Sequence, residues 1–215
     1  MIAGARKARV RRMGVVMQRQ SGHDRHPGRP VGAETSGSGA RPAAKAAIST
    51  AELGAVLDKH RAWVGSGWEM GKRADLHGSD LHGRSLPGAL LADADLHRAD
   101  LHRAALPGAE LDGADLHRAD LHDADLKGAD LQYADLHEAD LHHADLRGAV
   151  LREADLHNAD LHGADLKHAD LTEADLRGAN LKDVKGLTPE QLAHAHTDRA
   201  TCLPASIKPQ GSIKA

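Results

Sequence analysis

Histidine and aspartate recur in this sequence with a spacing that suits metal coordination. The triplet Asp-Leu-His occurs twice in close succession, and this pair of triplets returns every twenty residues. The histidines form two sets of five: His77, His97, His117, His137 and His157, then His82, His102, His122, His142 and His162. If the fold brings residues twenty apart together, two imidazoles and a nearby carboxylate can bind Zn²⁺, Ni²⁺ or Cu²⁺. The sequence therefore predicts weak binding of such ions, and no other cofactor.

Aspartates accompany both histidine sets and form a candidate interaction surface. Each lies immediately before a repeated leucine, and the members in the middle of the chain are Asp95, Asp100, Asp115, Asp120, Asp135, Asp140, Asp155 and Asp160. Simple duplication of a twenty-residue unit explains the same pattern without any function for a single histidine. Both explanations stay open at the level of sequence.

Residues for catalysis are missing from the sequence. We find no nucleophile–base arrangement and no glycine-rich phosphate loop. Cys202 lies near His194 and His196, but a lone thiol in a tail is more typical of a packed or idle residue. We therefore predict that the protein is not an enzyme.

The element that carries these residues is a five-residue repeat. Leucine occupies every fifth position from Leu76 to Leu181, giving 22 units, and alanine lies two residues earlier in all but two of them. The exceptions are Ser79 and Arg84. A period of five fits neither an α-helix nor a flat strand. Such strict repetition predicts a solenoid in which each unit stacks on its neighbours.

The consensus A-D-L-x-x, seen as ADLKGADLQYADLHEADL at 124–141, resembles the pentapeptide-repeat proteins. The resemblance implies an all-β solenoid: a right-handed quadrilateral β-helix with four pentapeptides per coil and Leu and Ala pointing inward. The 22 pentapeptides would then form about 5.5 coils, with short capping α-helices at both ends. A period of twenty residues equals one coil, so each histidine set is expected on one face.

We number the faces in chain order, with the His77 set on face one and the His82 set on face two. The residue that follows leucine is mixed on the other two faces. On face three it is Pro87, Pro107, Lys127, Arg147 and Lys167, and on face four it is Ala92, Asp112, Gln132, Arg152 and Thr172. Faces one and two are therefore uniform in sequence.

Four segments follow from this division: a disordered basic extension over 1–47, a capping helix and linker over 48–73, the β-helix over 74–183, and a capping helix and tail over 184–215. Ser49 with Glu52 and Thr188 with Gln191 fit capping boxes, and the second helix is expected to reach about His196. At the inward position of Arg84 we expect a distorted first coil, with the guanidinium in solvent or beside an acid.

Charge is distributed unevenly along the chain, whose net charge is −3. Residues 74–183 hold 24 acidic and 10 basic residues, whereas residues 1–73 hold 5 acidic and 14 basic residues. The basic arm ARKARVRR is expected to be a solvated tail that does not contact nucleic acid. Protonation of the twelve histidines in the repeat should remove most of its acidity between about pH 7 and 5.

These features favour a non-enzymatic scaffold that binds an unidentified protein through the flat faces of an acidic β-helix. Some pentapeptide-repeat proteins mimic DNA on DNA gyrase, so the resemblance implies modulation of gyrase as the alternative. Leucine at every centre, the lack of inserted loops and the basic residues of face three weaken this alternative. Metal binding by the histidine and aspartate sets is a second alternative.

Location and assembly are predicted from simpler features. No apolar run is long enough to cross a membrane, and the single cysteine fits a reducing compartment, so a soluble, cytoplasmic protein is expected. Leu203 and Ile207 in the C-terminal tail are candidates for a homodimer contact.

Overall fold

The computed structural model of the chain describes residues 47–207. The predicted basic extension over 1–47 therefore lies outside the described residues except for Ala47, as do residues 208–215. Within the described range there are two α-helices, α1 (Thr50–Gly65) and α2 (Pro189–Ala193). The repeat lies between them.

Four ladders of parallel bridges organise the repeat, and every bridge between two residues of the segment 75–185 joins residues twenty apart. The ladder on face one begins with Asp75 and Asp95, and that on face two joins Asp80 both to Asp100 and to Ala47, which precedes the repeat. The ladders on faces three and four begin at Ser85 and Leu90. The contacts are isolated bridges rather than long strands because the chain turns once in every pentapeptide. Histidines twenty residues apart are thereby placed above one another.

Each pentapeptide turns through a residue with left-handed backbone. The amide of Ala124 donates to the carbonyl of Leu121 at 3.0 Å, and Asp123 between them has a φ of 57°. A positive φ at the third residue is typical of a type II turn. Glycine adopts it without strain, which accounts for the glycines at this position on face three, such as Gly108 and Gly128.

The core is built almost entirely from the repeated Leu and Ala. Leucines from Leu91 to Leu181 are at most 1% exposed, and Leu86, in the unit that begins with Arg84, is 9% exposed. Each buried leucine contributes about 1.5–3 kcal/mol relative to an exposed one. Because one shape repeats, the outward residues can vary without disturbing the packing.

Helix α1 packs against the core at the Asp75 end of the repeat. Ser49 and Glu52 form the predicted capping box, and Leu53 is buried in the core cluster. His60 is fully buried, stacks on Trp63 with ring centroids 5.6 Å apart, and accepts the amide of Ala74 through Nδ1 at 3.1 Å. This contact links α1 to the first repeat unit.

Helix α2 is shorter than predicted. Thr188 and Gln191 form the expected capping box, but α2 ends at Ala193 with His194 as its C-cap. His196 instead forms a parallel bridge with Asp175 and extends the ladder of face one. Pairing with the ladder therefore ends the helix three residues early.

The backbone at Arg84 is regular, so the predicted distortion is wrong. The carbonyl of Arg84 accepts the amide of Ala105 at 2.8 Å, as at other units. The guanidinium donates to the hydroxyl of Thr50 at 2.9 Å and to the carbonyl of Ile48. The guanidinium therefore binds neutral oxygen acceptors at the start of α1, and not the solvent or the acid that the sequence predicted.

Candidate functional site

The histidines of face one form a column of neighbouring rings. Successive ring centroids from His77 to His157 lie 4.8, 4.8, 5.0 and 5.2 Å apart. The pair His97 and His117 is nearly parallel, with 3° between the ring planes. This spacing follows the separation of bridged backbones, which is about 4.8 Å in sheets.

The column on face two is tighter in the middle. His102 and His122 have centroids 3.9 Å apart, and His122 and His142 have centroids 4.1 Å apart. Below His142 the ring of His143 enters the column, 5.3 Å from His142 and 5.7 Å from His162. Gly163 makes room for it, since a Cβ there would lie 2.6 Å from the His143 ring.

The repeated aspartates hold the backbone, a role that the sequence analysis missed. Oδ1 of Asp155 accepts the amide of His157 at 2.9 Å, and Oδ1 of Asp165 on face three accepts the amide of Lys167 at 3.0 Å. The same bond is made by all eight aspartates of the candidate surface: Asp95, Asp100, Asp115, Asp120, Asp135, Asp140, Asp155 and Asp160. The available signal was the preference of Asp and Asn for a backbone amide two residues later.

Where an arginine pairs with a repeated aspartate, the carboxylate is recessed and the guanidinium projects beyond it. The side chain of Asp175 is 21% exposed and that of its partner Arg177 is 57% exposed. On face three the hydrogen bonds of Arg147 lower the pKa of Asp145 below its usual value. The acidic surplus of the sequence is thus partly covered by Arg and His side chains.

Burial changes the acid–base behaviour of His97 and His117 in the column of face one. Burial, opposed by Asp115 and reinforced by His117 and His77, lowers the pKa of His97 to about 4. Burial likewise lowers the pKa of His117. These histidines therefore contribute less than expected to the loss of surface acidity between pH 7 and 5.

Four groups bring three ligand atoms within 4.8 Å of one another. They are His82 with Asp100 and His102, His102 with His122 and Asp123, His117 with His137 and Glu138, and His122 with Asp140 and His142. Among the described residues, His77, His97, His157 and His162 belong to none of these groups. Asp123 and Glu138 were missed because they follow histidine rather than precede leucine.

The tail turns towards its own chain at the two residues predicted to make a homodimer contact, and the homodimer itself stays a prediction. Ile207 is 8% exposed, and Leu203 packs against the core of its own chain. Cys202 is exposed, and its backbone forms a parallel β-bridge with Asn180. Nε2 of His196 lies 3.0 Å from a carboxylate oxygen of Glu173, so this histidine does not pair with the thiol. These residues therefore complete the fold of the tail.

Two surface depressions lie near the C-terminal end of the repeat, and both are open to solvent. One is lined by Glu153, Asp155, Glu173, Asp175 and His196. The other lies beside α2 and includes Lys167 and Gln191. The Nε2 of Gln191 donates to the carbonyls of Leu166 and Ala169, so this glutamine serves the backbone.

The model of the pentapeptide-repeat family matches this chain in eight copies, over residues 74–113, 94–132, 109–148, 134–172 and 149–185. The chain belongs to the pentapeptide-repeat family, whose members form β-helices and are generally structural or binding proteins. A comparison with curated proteins gives no match. Neither helix within residues 47–207 has the length and apolar character needed to cross a bilayer.

Several solved structures of the family are similar to this chain. HetL, involved in heterocyst differentiation regulation in the cyanobacterium Nostoc sp. strain PCC 7120, is 40% identical over 53% of this chain and 60% of HetL, with a TM-score of 0.26. The protein alr5209 from Nostoc is 25% identical over 70% of this chain and 86% of its own, with a TM-score of 0.33. QnrB1, a plasmid-mediated fluoroquinolone resistance protein, is 19% identical over 58% and 78%, with a TM-score of 0.28. The match therefore spans about three fifths of the length of HetL.

Proposed function

We propose that this protein is a non-enzymatic scaffold that binds a protein partner through faces one and two. The observation that carries the proposal is the pair of adjacent histidine columns, each backed by aspartates that are bonded to the backbone. These faces repeat one chemical pattern along their length, whereas faces three and four vary. The proposed location is the cytoplasm.

Rigidity makes such a surface suitable for binding. The amide of Leu116 donates to the backbone carbonyl of Asp135 at 2.7 Å, and the amide of Asp135 donates to the carbonyl of Ala114 at 2.9 Å. Units twenty residues apart are therefore hydrogen-bonded in both directions. Histidine side chains that are already stacked lose little further freedom when a partner binds. Imidazole edges and recessed carboxylates favour a partner that presents lysine, arginine or backbone amide donors.

The finer architecture belongs to the same proposal. It is a right-handed quadrilateral β-helix of 22 pentapeptides, about 5.5 coils, over 74–183. Segment 48–73 with α1 and segment 184–215 with α2 are proposed to cap its two ends. The burial of Leu53 in the core and the bonds of Gln191 to Leu166 and Ala169 support these capping roles.

The binding surface is tested by affinity capture with the full chain as bait. His117→Glu combined with His122→Glu changes the middle of faces one and two, and the aspartate bonds survive because they use backbone amides. The matched control is Lys127→Glu on face three. We expect a specific protein partner that the control retains and the double variant loses. Retention by the double variant would contradict the choice of faces.

Modulation of DNA gyrase is the alternative function, favoured by the excess of acidic residues over 74–183. The recessed carboxylates and projecting arginines argue against it, because a DNA mimic should present bare negative charge. A supercoiling assay separates the two functions. Inhibition of gyrase, or its protection from quinolones, at micromolar protein would favour mimicry, and the lack of both would eliminate it.

A further inference from the structure

We propose that His102, His122 and Asp123 on face two form a binding site for one divalent transition metal ion of the Zn²⁺ type. The site adds to the proposed scaffold function and does not depend on any protein partner. It is specific to the middle of face two rather than a general property of the histidine columns.

The contact between His122 and Asp123 suits tetrahedral coordination, and His102 lies close enough to complete the set. Nε2 of His122 lies 3.5 Å from Oδ2 of Asp123, and one ligand atom from each of the three residues lies within 4.8 Å of the others. Ligands of tetrahedral Zn²⁺ at about 2.0–2.2 Å are about 3.3–3.6 Å apart. The separation of His122 and Asp123 is therefore too long for a hydrogen bond and fits the edge of a coordination tetrahedron.

The two histidines present nitrogen atoms that the chain does not otherwise use. Nε2 of His102 is buried and has no hydrogen-bond partner among the described residues. Nδ1 of His122 lies 3.6 Å from Oδ1 of Asp120, so a carboxylate lies near the ring nitrogen opposite Nε2. A carboxylate behind the imidazole is the usual arrangement for a histidine ligand of a metal.

Two neighbouring groups set the charge around Asp123. Nε of Arg103 lies 3.6 Å from Oδ2 of Asp123, so the guanidinium competes with an ion for this oxygen. Nδ1 of His143 lies 4.0 Å from Oδ1 of Asp123 and can supply a further nitrogen ligand. The arginine side chain is 64% exposed and can move away when an ion binds.

In two of the other three candidate groups, the carboxylate is already engaged by the chain itself. Glu138 on face one is bonded to Nε of Arg118 at 2.6 Å and to Nε2 of His137 at 3.0 Å. Asp140 on face two is bonded to Nδ1 of His142 at 2.6 Å. An ion would have to break these bonds, whereas the contacts of Asp123 with His122 and Arg103 are longer than hydrogen bonds.

Calorimetric titration of the full chain with Zn²⁺ near pH 7.5 tests the site. We expect one saturable site, weakened by about tenfold or more in His122→Gln and in Asp123→Asn. Asparagine tolerates the positive φ of 57° at position 123, so this variant keeps the turn. Arg103→Gln should strengthen binding, and the matched control His157→Gln should leave it unchanged.

A Co²⁺ spectrum supplies a second readout that separates this site from scattered surface binding. The wild-type chain should give the intense visible band of tetrahedral Co²⁺, and His122→Gln should lose it while its circular dichroism remains the same. No saturable binding at millimolar Zn²⁺, equal binding by wild type and His122→Gln, or equal weakening by His157→Gln would each overturn the proposal.

Discussion

Replacing Arg84 by alanine gives a result that the repeat pattern and the structure predict in opposite directions. Alanine is the usual residue at this inward position, so the pattern alone predicts a more stable protein. The structure predicts a less stable protein, because Arg84 connects the third repeat unit to the start of α1 through Thr50 and Ile48.

The size of the effect follows from these two bonds. A hydrogen bond to a charged group contributes about 1.5–3 kcal/mol to stability. Removing the half-buried charge recovers part of this loss because its desolvation cost is also removed. We therefore expect Arg84→Ala to lower the free energy of unfolding by about 2 kcal/mol. With a urea m-value of about 2 kcal/mol per molar, the midpoint should fall by about 1 M.

Urea denaturation of the full chain, followed by circular dichroism, measures the change. Ser79→Ala is the matched control, since Ser79 is the other unit without alanine and its backbone bonds do not depend on the hydroxyl. We expect this control to change the midpoint little. Thr50→Val, combined with Arg84→Ala in a double-mutant cycle, isolates the contribution of the hydroxyl contact.

An unchanged or higher midpoint for Arg84→Ala would refute the reasoning. It would mean that the cost of holding the guanidinium at the edge of the core equals or exceeds the strength of its bonds to α1. A coupling energy near zero between Thr50 and Arg84 would refute only the role of the hydroxyl.

Three further predictions concern the columns and the turns. The pKa of His97 is about 4 in the folded chain and about 6.5 in the unfolded chain. Between these pH values the unfolded state binds more protons, so the free energy of unfolding falls as the pH drops from about 6.5 to 4. Urea midpoints at pH 7 and 5 should show His97→Gln reducing this fall by about 1–2 kcal/mol; an identical fall would contradict the burial of its ring. Asp155→Ala should cost about 1 kcal/mol in the same assay and Asp155→Asn much less, because asparagine retains the bond to the amide two residues later; equal losses would argue against that bond. Gly71→Ala should prevent stable folding, because Gly71 has a φ of 83° and a Cβ there would lie 2.2 Å from the carbonyl oxygen of Lys59. The control Gly54→Ala, at a position in α1 where a Cβ meets no other atom, should raise the melting temperature.

The regular part of the fold could be predicted from the sequence because one physical constraint acts at every unit. Leucine at every fifth position and histidine at every twentieth specify which side chains are buried and which residues are bridged. The capping boxes at Ser49 and Thr188 could be predicted equally well, because each depends on two residues that are three positions apart in the sequence.

The irregular contacts could not be predicted, because they depend on where separate segments meet. The partner of Arg84 lies more than thirty residues earlier in the chain. The early end of α2 depends on pairing of His196 with Asp175. At the candidate metal site, Asp123 became visible only when its distance from His122 was known.

The twenty-residue bridges also give this protein a rule for changing its length. An insertion or deletion of five residues would move every later side chain to the neighbouring face, so the histidine columns would break at that point. A change of twenty residues would keep every column in phase and simply lengthen or shorten the repeat. The protein can therefore gain or lose outward-facing surface in steps of twenty residues without any change in the packing of its core.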